Sequence, residues 1–297
     1  MSRFFSKKYK NLKAYTPGEQ PRDMQYIKLN TNESPYPPSP SVFSAVAGEV
    51  EKLGLYSDPE CTALVEAACE VFGVASGEIL MTNGSDEILN FSFMAFCERS
   101  ERRVRFPEIS YGFYSVYAEL HGVKANVIPL KDDFSIDPED YKGNGKMVVI
   151  ANPNAPTGLS LSVAQIEEIV KSNPNRVVVV DEAYVDFGGQ SCLPLLGRYE
   201  NLLVVRTFSK SRCMAGGRLG YAFASPAIIE DLEKMKYSTN PYNVNRLTMR
   251  LGEATVDAES YYQEKCREII RVREWTAKKL MEMGFPFRAS STVKKRT

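Results

Sequence analysis

The sequence predicts an α/β fold, a mostly parallel sheet flanked by helices. Two short apolar runs carry the prediction: Val177-Val178-Val179-Val180-Asp181 and Leu202-Leu203-Val204-Val205-Arg206-Thr207. An alternating strand has one dry face, whereas a continuous apolar run has two, as in a parallel sheet covered by helices on both sides. Helical patterns between strand-like runs are the third observation, since they supply the crossovers that parallel strands need. In such sheets ligands sit beyond the carboxyl ends of the strands, which is where Asp181, Tyr184 and Lys210 fall.

The elements follow in order. Residues 1–30 lack clear periodicity, and Tyr15-Thr16-Pro17-Gly18 is a turn signal. Asn30-Thr31-Asn32-Glu33-Ser34-Pro35-Tyr36-Pro37-Pro38-Ser39-Pro40 is too rich in Pro, Asn and Ser for a helix or strand and reads as a rigid access loop. Cys61 to Phe72 is an amphipathic helix stopped by Gly73. Ile79 to Leu89 reads as strand, tight turn and helix start, with the turn at Asn83-Gly84-Ser85-Asp86. A second strand–helix–strand unit runs from Val104 to Pro129, its helix opened by Tyr111-Gly112-Phe113-Tyr114. There Tyr114 and Tyr117 are expected to pack the helix on the sheet, and His121 to sit near the helix end before Gly122. Met147-Val148-Val149-Ile150 is a short strand, and the prolines of Asn152-Pro153-Asn154-Ala155-Pro156-Thr157-Gly158 place a loop at its end. Ser162 to Lys171 is the crossover helix to the run at Val177, and Leu219 to Ala224 is a further strand. Asp257 to Gly284 is expected to be one long helix, with an acidic start and a glycine stop.

Composition narrows the function. A chain of 297 residues fits one large domain plus part of a second. Lys plus Arg and Asp plus Glu both total 37, so no charge footprint points to nucleic acid or an anionic membrane. Six scattered cysteines suggest reduced thiols and a cytoplasmic protein. His121 is the single histidine, which excludes a multi-histidine metal site, and no metal is expected. No apolar run approaches a membrane span. The start to Gly18 carries Arg3, Lys7, Lys8, Lys10 and Lys13 without an acid, and a basic amino-terminal arm is expected rather than a transit peptide.

The polar residues at the strand ends suit one cofactor. Pyridoxal phosphate needs a lysine to bond its aldehyde carbon and a carboxylate to keep its ring nitrogen protonated. Lys210 supplies the amine, Asp181 the carboxylate, and Tyr184 a hydrogen bond to the ring oxygen. The amides of Gly84, Ser85 and Asp86, at a helix start, form an anion site for the phosphate, with the Ser85 hydroxyl adding a bond. Ser209 and Arg218 flank the same phosphate, the arginine as a fork of fixed charge. Tyr111 is an aromatic at the lip, able to stack on a flat heterocycle. Taken singly, Asp181 and Ser85 read first as helix caps; their occurrence together with Lys210 favours the cofactor.

The run Asp181-Glu182-Ala183-Tyr184-Val185-Asp186-Phe187, with Arg206-Thr207-Phe208-Ser209-Lys210 and an arginine eight residues later, resembles the histidinol-phosphate aminotransferase family. That family is among the class-II aminotransferases of fold-type I, the aspartate-aminotransferase fold, and the likeness runs from about Tyr15 to about Ala289. The resemblance implies transamination between histidinol phosphate and 2-oxoglutarate in histidine biosynthesis, pyridoxal phosphate as cofactor, and a homodimer. It implies that Tyr56 reaches the cofactor phosphate of the neighbouring subunit, that Tyr111 covers the ring, and that Asn32 and Glu33 approach the substrate. Tyr15 is either near the substrate or only packs the arm. The loop at Asn240 to Asn245 resembles the family's substrate-side loop, which implies that Tyr242 and Asn243 could line the pocket. The family places an asparagine just before Pro-Thr-Gly on the ring oxygen; here that position is Ala155, and Asn154 is the natural substitute.

The resemblance divides the chain into an arm and access loop (1–32), a large cofactor-binding domain (33–250), and a long helix with the start of a small domain (251–297). Beyond Thr292, Lys294-Lys295-Arg296 stands where the family has an apolar strand, and a truncation or shifted frame is expected there. Neither Arg288 nor Arg296 matches the family's carboxylate-binding arginine. Two alternatives follow: a phospho-amino-acid decarboxylase on the same scaffold, or a fragment that at most binds the cofactor.

Overall fold

The structure is a computed structural model that describes residues 2–9, 12–18, 27–97, 103–143, 145 and 147–285. Its regular elements are α1 (Pro40–Ala45), α2 (Thr62–Phe72), β1 (Ile79–Thr82), α3 (Ser85–Phe96), β2 (Arg103–Pro107), α4 (Phe113–His121), β3 (Lys124–Ile128), β4 (Met147–Ala151), α5 (Val163–Ser172), β5 (Val178–Asp181), β6 (Leu202–Thr207), β7 (Gly220–Ala224), α6 (Pro226–Thr239), α7 (Arg246–Asp257) and α8 (Glu259–Glu282), joined by loops and short 3-10 turns. The ends of the expected helices are set locally. Gly73 closes α2 in the left-handed region, at φ 67°. The Ser162 hydroxyl accepts from Gln165 N–H while the Gln165 side chain returns to Ser162, a capping box on α5.

The seven strands form one sheet in the order β1-β7-β6-β5-β4-β2-β3. β2 to β6 pair in parallel, and β7 runs antiparallel to both β6 and β1. The apolar runs are buried on both faces because their residues alternate between two cores. Val148, Ile150, Val178, Val180, Leu202 and Val204 join α2 and α5 on one side. Val149, Val179, Leu203 and Val205 join α3, α4 and α6 on the other.

The single reversed strand matters for the site. Gly220, at the start of β7, pairs with Thr207 and with Thr82, each the last residue of its strand. The residues just before β7 therefore arrive at the same sheet edge as those just after β1 and β6. Gly220 also has no room for a side chain, since a Cβ there would lie 2.3 Å from Ser85 N and 2.4 Å from Gly84 C.

The long helix expected over Asp257 to Gly284 is present as one helix, α8, with Gly284 at φ 78° just past its end; a separate helix, α7, runs up to Asp257 before it. Arg246–Asp257 is already helical, capped by Asn245, whose side chain accepts from Thr248 N–H. The chain leaves helical geometry at Ala258 (φ −94°, ψ 27°) and restarts as α8. The break presents Glu259 to a buried arginine, Arg212, at 2.9 Å, a tertiary ion pair that periodicity does not encode. α8 leaves Val272, Trp275 and Met281 exposed. The expectation for the tail after Phe285, including Arg288 and Lys294-Lys295-Arg296, lies outside the described residues.

Candidate active site

The carboxyl edge of the sheet encloses a cavity of about 350 Å³ whose walls include Asp181, Tyr184, Ser209, Lys210, Ser85 and Arg218. The parallel crossovers and one reversed strand bring these residues together from positions up to 133 apart in the chain, Ser85 and Arg218 being the most distant. Asp86, Tyr111, Glu33 and Ala155 complete much of the wall. A second cavity, about 620 Å³, shares Glu33, Ala155, Tyr184 and Lys210 and runs on to Tyr36 and the Val272–Arg273 face of α8.

Lys210 follows β6 by three residues. Its Nζ donates to the Thr31 carbonyl at 2.7 Å and lies 5.7 Å from the Tyr184 ring centre. Burial pushes its pKa down, with the Arg218 charge acting in the same direction and Glu33 and Asp86 opposing. A larger neutral fraction is what a nucleophilic amine needs. Thr31 and Asn32 are both held at positive φ, 59° and 50°, and each serves the site: Thr31 through its carbonyl, Asn32 by donating from Nδ2 to the Tyr184 oxygen at 3.0 Å. Glu33 pairs with Lys28 at 2.6 Å, which holds its carboxyl below the ordinary value.

Asp181 ends β5 and is 4% exposed. Its Oδ1 accepts from Ala183 N–H at 3.1 Å and its Oδ2 from the Tyr114 hydroxyl at 2.8 Å. Burial pushes its pKa up to about 6, partly offset by those two hydrogen bonds. Among the described residues it makes no salt bridge, so a buried acid on the cavity wall meets no protein cation. Such a group is costly unless a cation or a charged N–H donor completes it, and a protonated ring nitrogen does so.

The phosphate end is built at the turn from β1 to α3. Gly84 takes φ 77°, which lets the chain turn from strand to helix and leaves no Cβ: one would lie 2.6 Å from Arg218 Nη2. Gly84, rather than Ser85, occupies the cap position, so Ser85 is the first residue of α3 and its hydroxyl is not spent on capping. Arg218 pairs with Asp86 at 3.0 Å, and Tyr111 donates to the other Asp86 oxygen at 2.7 Å. Ser209 N–H donates to Thr207 Oγ1 at 3.1 Å, and the two hydroxyls are 3.0 Å apart. Amides at a helix start, two serines and an arginine fit a phosphate; a buried acid, a lysine and a tyrosine fit the ring.

Other expected site residues lie elsewhere. Asn154 lines the second cavity, with Lys210 and Tyr184, while Ala155 borders both. The Asn154 amide is committed to its own loop, donating to Ile109 O at 2.9 Å and Thr157 Oγ1 at 3.1 Å and accepting from Ser110 at 2.8 Å. These bonds hold the loop together at the cavity edge. Tyr15 stacks on Phe113, with ring centres 4.4 Å apart. Tyr56 is 80% exposed and stacks on Tyr242 at 4.6 Å, outside this cavity. Asn243 donates to Glu87 at 2.6 Å, which steadies α3 instead of lining the pocket. His121, the last residue of α4, is bonded to the Asn90 side chain at 2.7 Å.

Sequence reasoning missed three buried polar groups. Tyr114 was expected only to pack, and its hydroxyl reaches Asp181. Arg206 grips Glu182 through Nε and Nη2, at 3.0 and 2.9 Å, beneath the site. Arg212, 2% exposed, pairs with Asp186 at 3.2 Å and Glu259 at 2.9 Å, tying the Lys210 loop to the Tyr184 loop and to α8. The tyrosine spacing 111, 114, 117 was a legible signal for the first; a lone Arg in a loop gives none for the last.

Fold and site together define a transferase built on a mostly parallel sheet, with a lysine, an acid and a phosphate turn at its carboxyl edge. The sequence model of the aminotransferase class I and II family matches residues 24–293, and the chain belongs to that family. It is 47% identical over 287 residues to the histidinol-phosphate aminotransferase of Brachyspira hyodysenteriae, covering 96% of this chain and 81% of that one. It is 48% identical to that of a Marinomonas species over 294 residues, covering 98% and 83%. The crystal structure of histidinol-phosphate aminotransferase from Sinorhizobium meliloti in complex with pyridoxal-5'-phosphate superposes with a TM-score of 0.77 at 23% identity, over 86% of this chain and 70% of that one, which establishes the shared fold. Among the described residues, no helix is long and apolar enough to cross a membrane, and no acid, cysteine or histidine cluster is placed to hold a metal.

Proposed function

We infer that this chain transfers an amino group between histidinol phosphate and 2-oxoglutarate, with pyridoxal phosphate as its cofactor. The observation that carries the reading is one cavity walled by Lys210, Asp181, Tyr184, Ser85 and Arg218 in a chain 47% and 48% identical to enzymes of that name. The same relatives favour transamination over decarboxylation.

Pyridoxal phosphate, when bound, supplies the electron sink and the carbon that carries nitrogen from one substrate to the next. The chain does the rest. The amides at Gly84, Ser85 and Asp86, the hydroxyls of Ser85 and Ser209, and the Arg218 fork hold the phosphate. Asp181 would accept from the ring N–H and Tyr184 would donate to the ring oxygen, its hydroxyl already accepting from Asn32. Tyr111 covers the ring. Lys210 Nζ takes the proton from the substrate Cα and returns it as general acid. Glu33 faces the substrate side of the cavity, where Lys210 also lies. Tyr15, packed on Phe113 at the start of α4, steadies the arm beside this site.

The complete site is a homodimer's. Tyr56 stands exposed on Tyr242 and outside its own subunit's cavity, a placement that leaves its hydroxyl available to a neighbouring subunit's phosphate.

Titration of the purified chain with pyridoxal phosphate, followed by histidinol phosphate, tests the reading by absorbance. A band that depends on Lys210, absent in Lys210→Ala, and that changes on adding histidinol phosphate supports transamination. A band that histidinol phosphate leaves unaltered refutes the substrate, and no band refutes the cofactor.

A further inference from the structure

Tyr114 and Tyr117 lie one turn apart on the same face of α4, and Tyr111 stands three residues earlier, just before the helix cap. Each hydroxyl donates to a segment that bears a site acid. Tyr111 reaches Asp86 Oδ1 at 2.7 Å and Tyr117 the Asp86 main-chain carbonyl at 2.9 Å, while Tyr114 reaches Asp181 Oδ2 at 2.8 Å. Tyr114 is 0% exposed and wedged edge-on against Tyr111, with ring centres 5.7 Å apart at 84°. Packing alone would be served by phenylalanine. A buried hydroxyl costs free energy unless bonded, and this one is bonded to the acid.

We propose that Tyr114 is a positioning residue for Asp181. Its O–H···Oδ2 bond, set against the Ala183 N–H···Oδ1 bond, fixes the rotation of the carboxylate that faces the cofactor ring nitrogen and keeps it ionised. The inference rests on the pyridoxal phosphate reading of the cavity. Burial, then the Asp181 charge, push the Tyr114 phenol well above its ordinary pKa, so it stays a donor at any working pH. The other ionisable groups around Asp181 are Tyr111 beside α4, Asp86 on α3, Glu182 next in the chain and Tyr184. Asp86 and Glu182 favour the protonated acid, as does burial; Tyr114 and the Ala183 amide oppose them. Among the described residues no salt bridge to Asp181 offsets the loss of the hydroxyl.

The test is a carboxyl-carbon NMR titration of the full, ligand-free chain labelled at aspartate, with Asp181 assigned by Asp181→Asn. Tyr114→Phe keeps the ring and removes the bond. Its Asp181 midpoint should rise by roughly one to two pH units, the worth of a hydrogen bond to a charged group. Tyr117→Phe, which loses a hydroxyl from the same face but not from Asp181, should leave that midpoint in place. An unmoved midpoint in Tyr114→Phe, or an equal rise in both variants, overturns the proposal. In a second arm, pyridoxal phosphate affinity is followed against pH, and its acid-side fall should move to higher pH in Tyr114→Phe. Superimposable profiles also overturn the proposal. If the wild-type chain binds no pyridoxal phosphate, the cofactor reading fails, while the NMR arm still decides whether Tyr114 sets Asp181.

Discussion

Replacing Asp181 with Asn should stabilise the ligand-free protein at neutral pH while disabling it. The folded-state pKa of Asp181 is about 6, against an ordinary 3.8, and burial is the main cause. Between those values the folded chain keeps a proton that the unfolded chain gives up. Stability contributed by the protonated acid is therefore complete below about pH 4 and is lost as pH rises through 6. The gap of about 2 units corresponds to about 3 kcal/mol, at roughly 1.4 kcal/mol per unit. Asn carries no charge and escapes that loss. Its amide can keep Oδ1 on the Ala183 N–H and donate from Nδ2 to the Tyr114 oxygen, which then accepts, a change that does not vary with pH. The signal is thus the pH slope of the difference between the two proteins. Urea unfolding of both at intervals from pH 4 to 8, without cofactor, should show the Asn variant gaining about 3 kcal/mol relative to wild type across that range. A difference that stays flat would refute the assignment of Asp181 as a buried, unpaired acid. Transaminase activity should be lost at every pH, a trade of function against stability seen where sites hold strained charge.

Three further outcomes follow from the geometry. Gly220→Ala drives a Cβ into the backbone of Gly84 and Ser85, which no rotamer relieves; it should cost about 3 kcal/mol in urea unfolding and weaken pyridoxal phosphate at least about tenfold by displacing the phosphate amides. Arg212→Met leaves Asp186 and Glu259 facing each other without their cation and should cost about 3 kcal/mol, with Arg212→Lys restoring only part because one ammonium cannot fork between two acids; equal stability of the Met variant would show the triad to be dispensable. Asn32→Ala removes the one hydrogen bond that lowers the Tyr184 pKa against burial, so a spectrophotometric phenol titration should find Tyr184 ionising at higher pH, and an unchanged titration would remove Asn32 from the site.

The sequence by itself determined the sheet and most of the residues around Lys210. The runs at Val177 and Leu202 could be read as strands because both faces of a covered parallel sheet must be apolar. Their polar ends could be read as a site because ligands meet such sheets at the carboxyl edge. Ser85, Asp86, Tyr111, Asp181, Tyr184, Ser209, Lys210 and Arg218 were all named from local pattern, and the cavity wall contains them all. Asn154 shows the limit of that reasoning: which cavity each of two neighbouring loop residues borders depends on backbone rotation, and here Asn154 borders only the second while its amide bonds to Ile109 and Thr157. The reversal of β7, which brings Arg218 beside Ser85, is a matter of long-range pairing. The ion pair from Glu259, at the start of α8, to Arg212 joins positions 47 residues apart. The Tyr114 hydroxyl, three residues past Tyr111 on a helix that sequence reads as packing, meets Asp181 only once α4 lies across the sheet. Short-range periodicity and turn chemistry set what each segment is; which polar atoms finally meet is decided by packing, because a hydrogen bond requires about 3 Å and a defined angle, and neither is written into the spacing of residues along the chain.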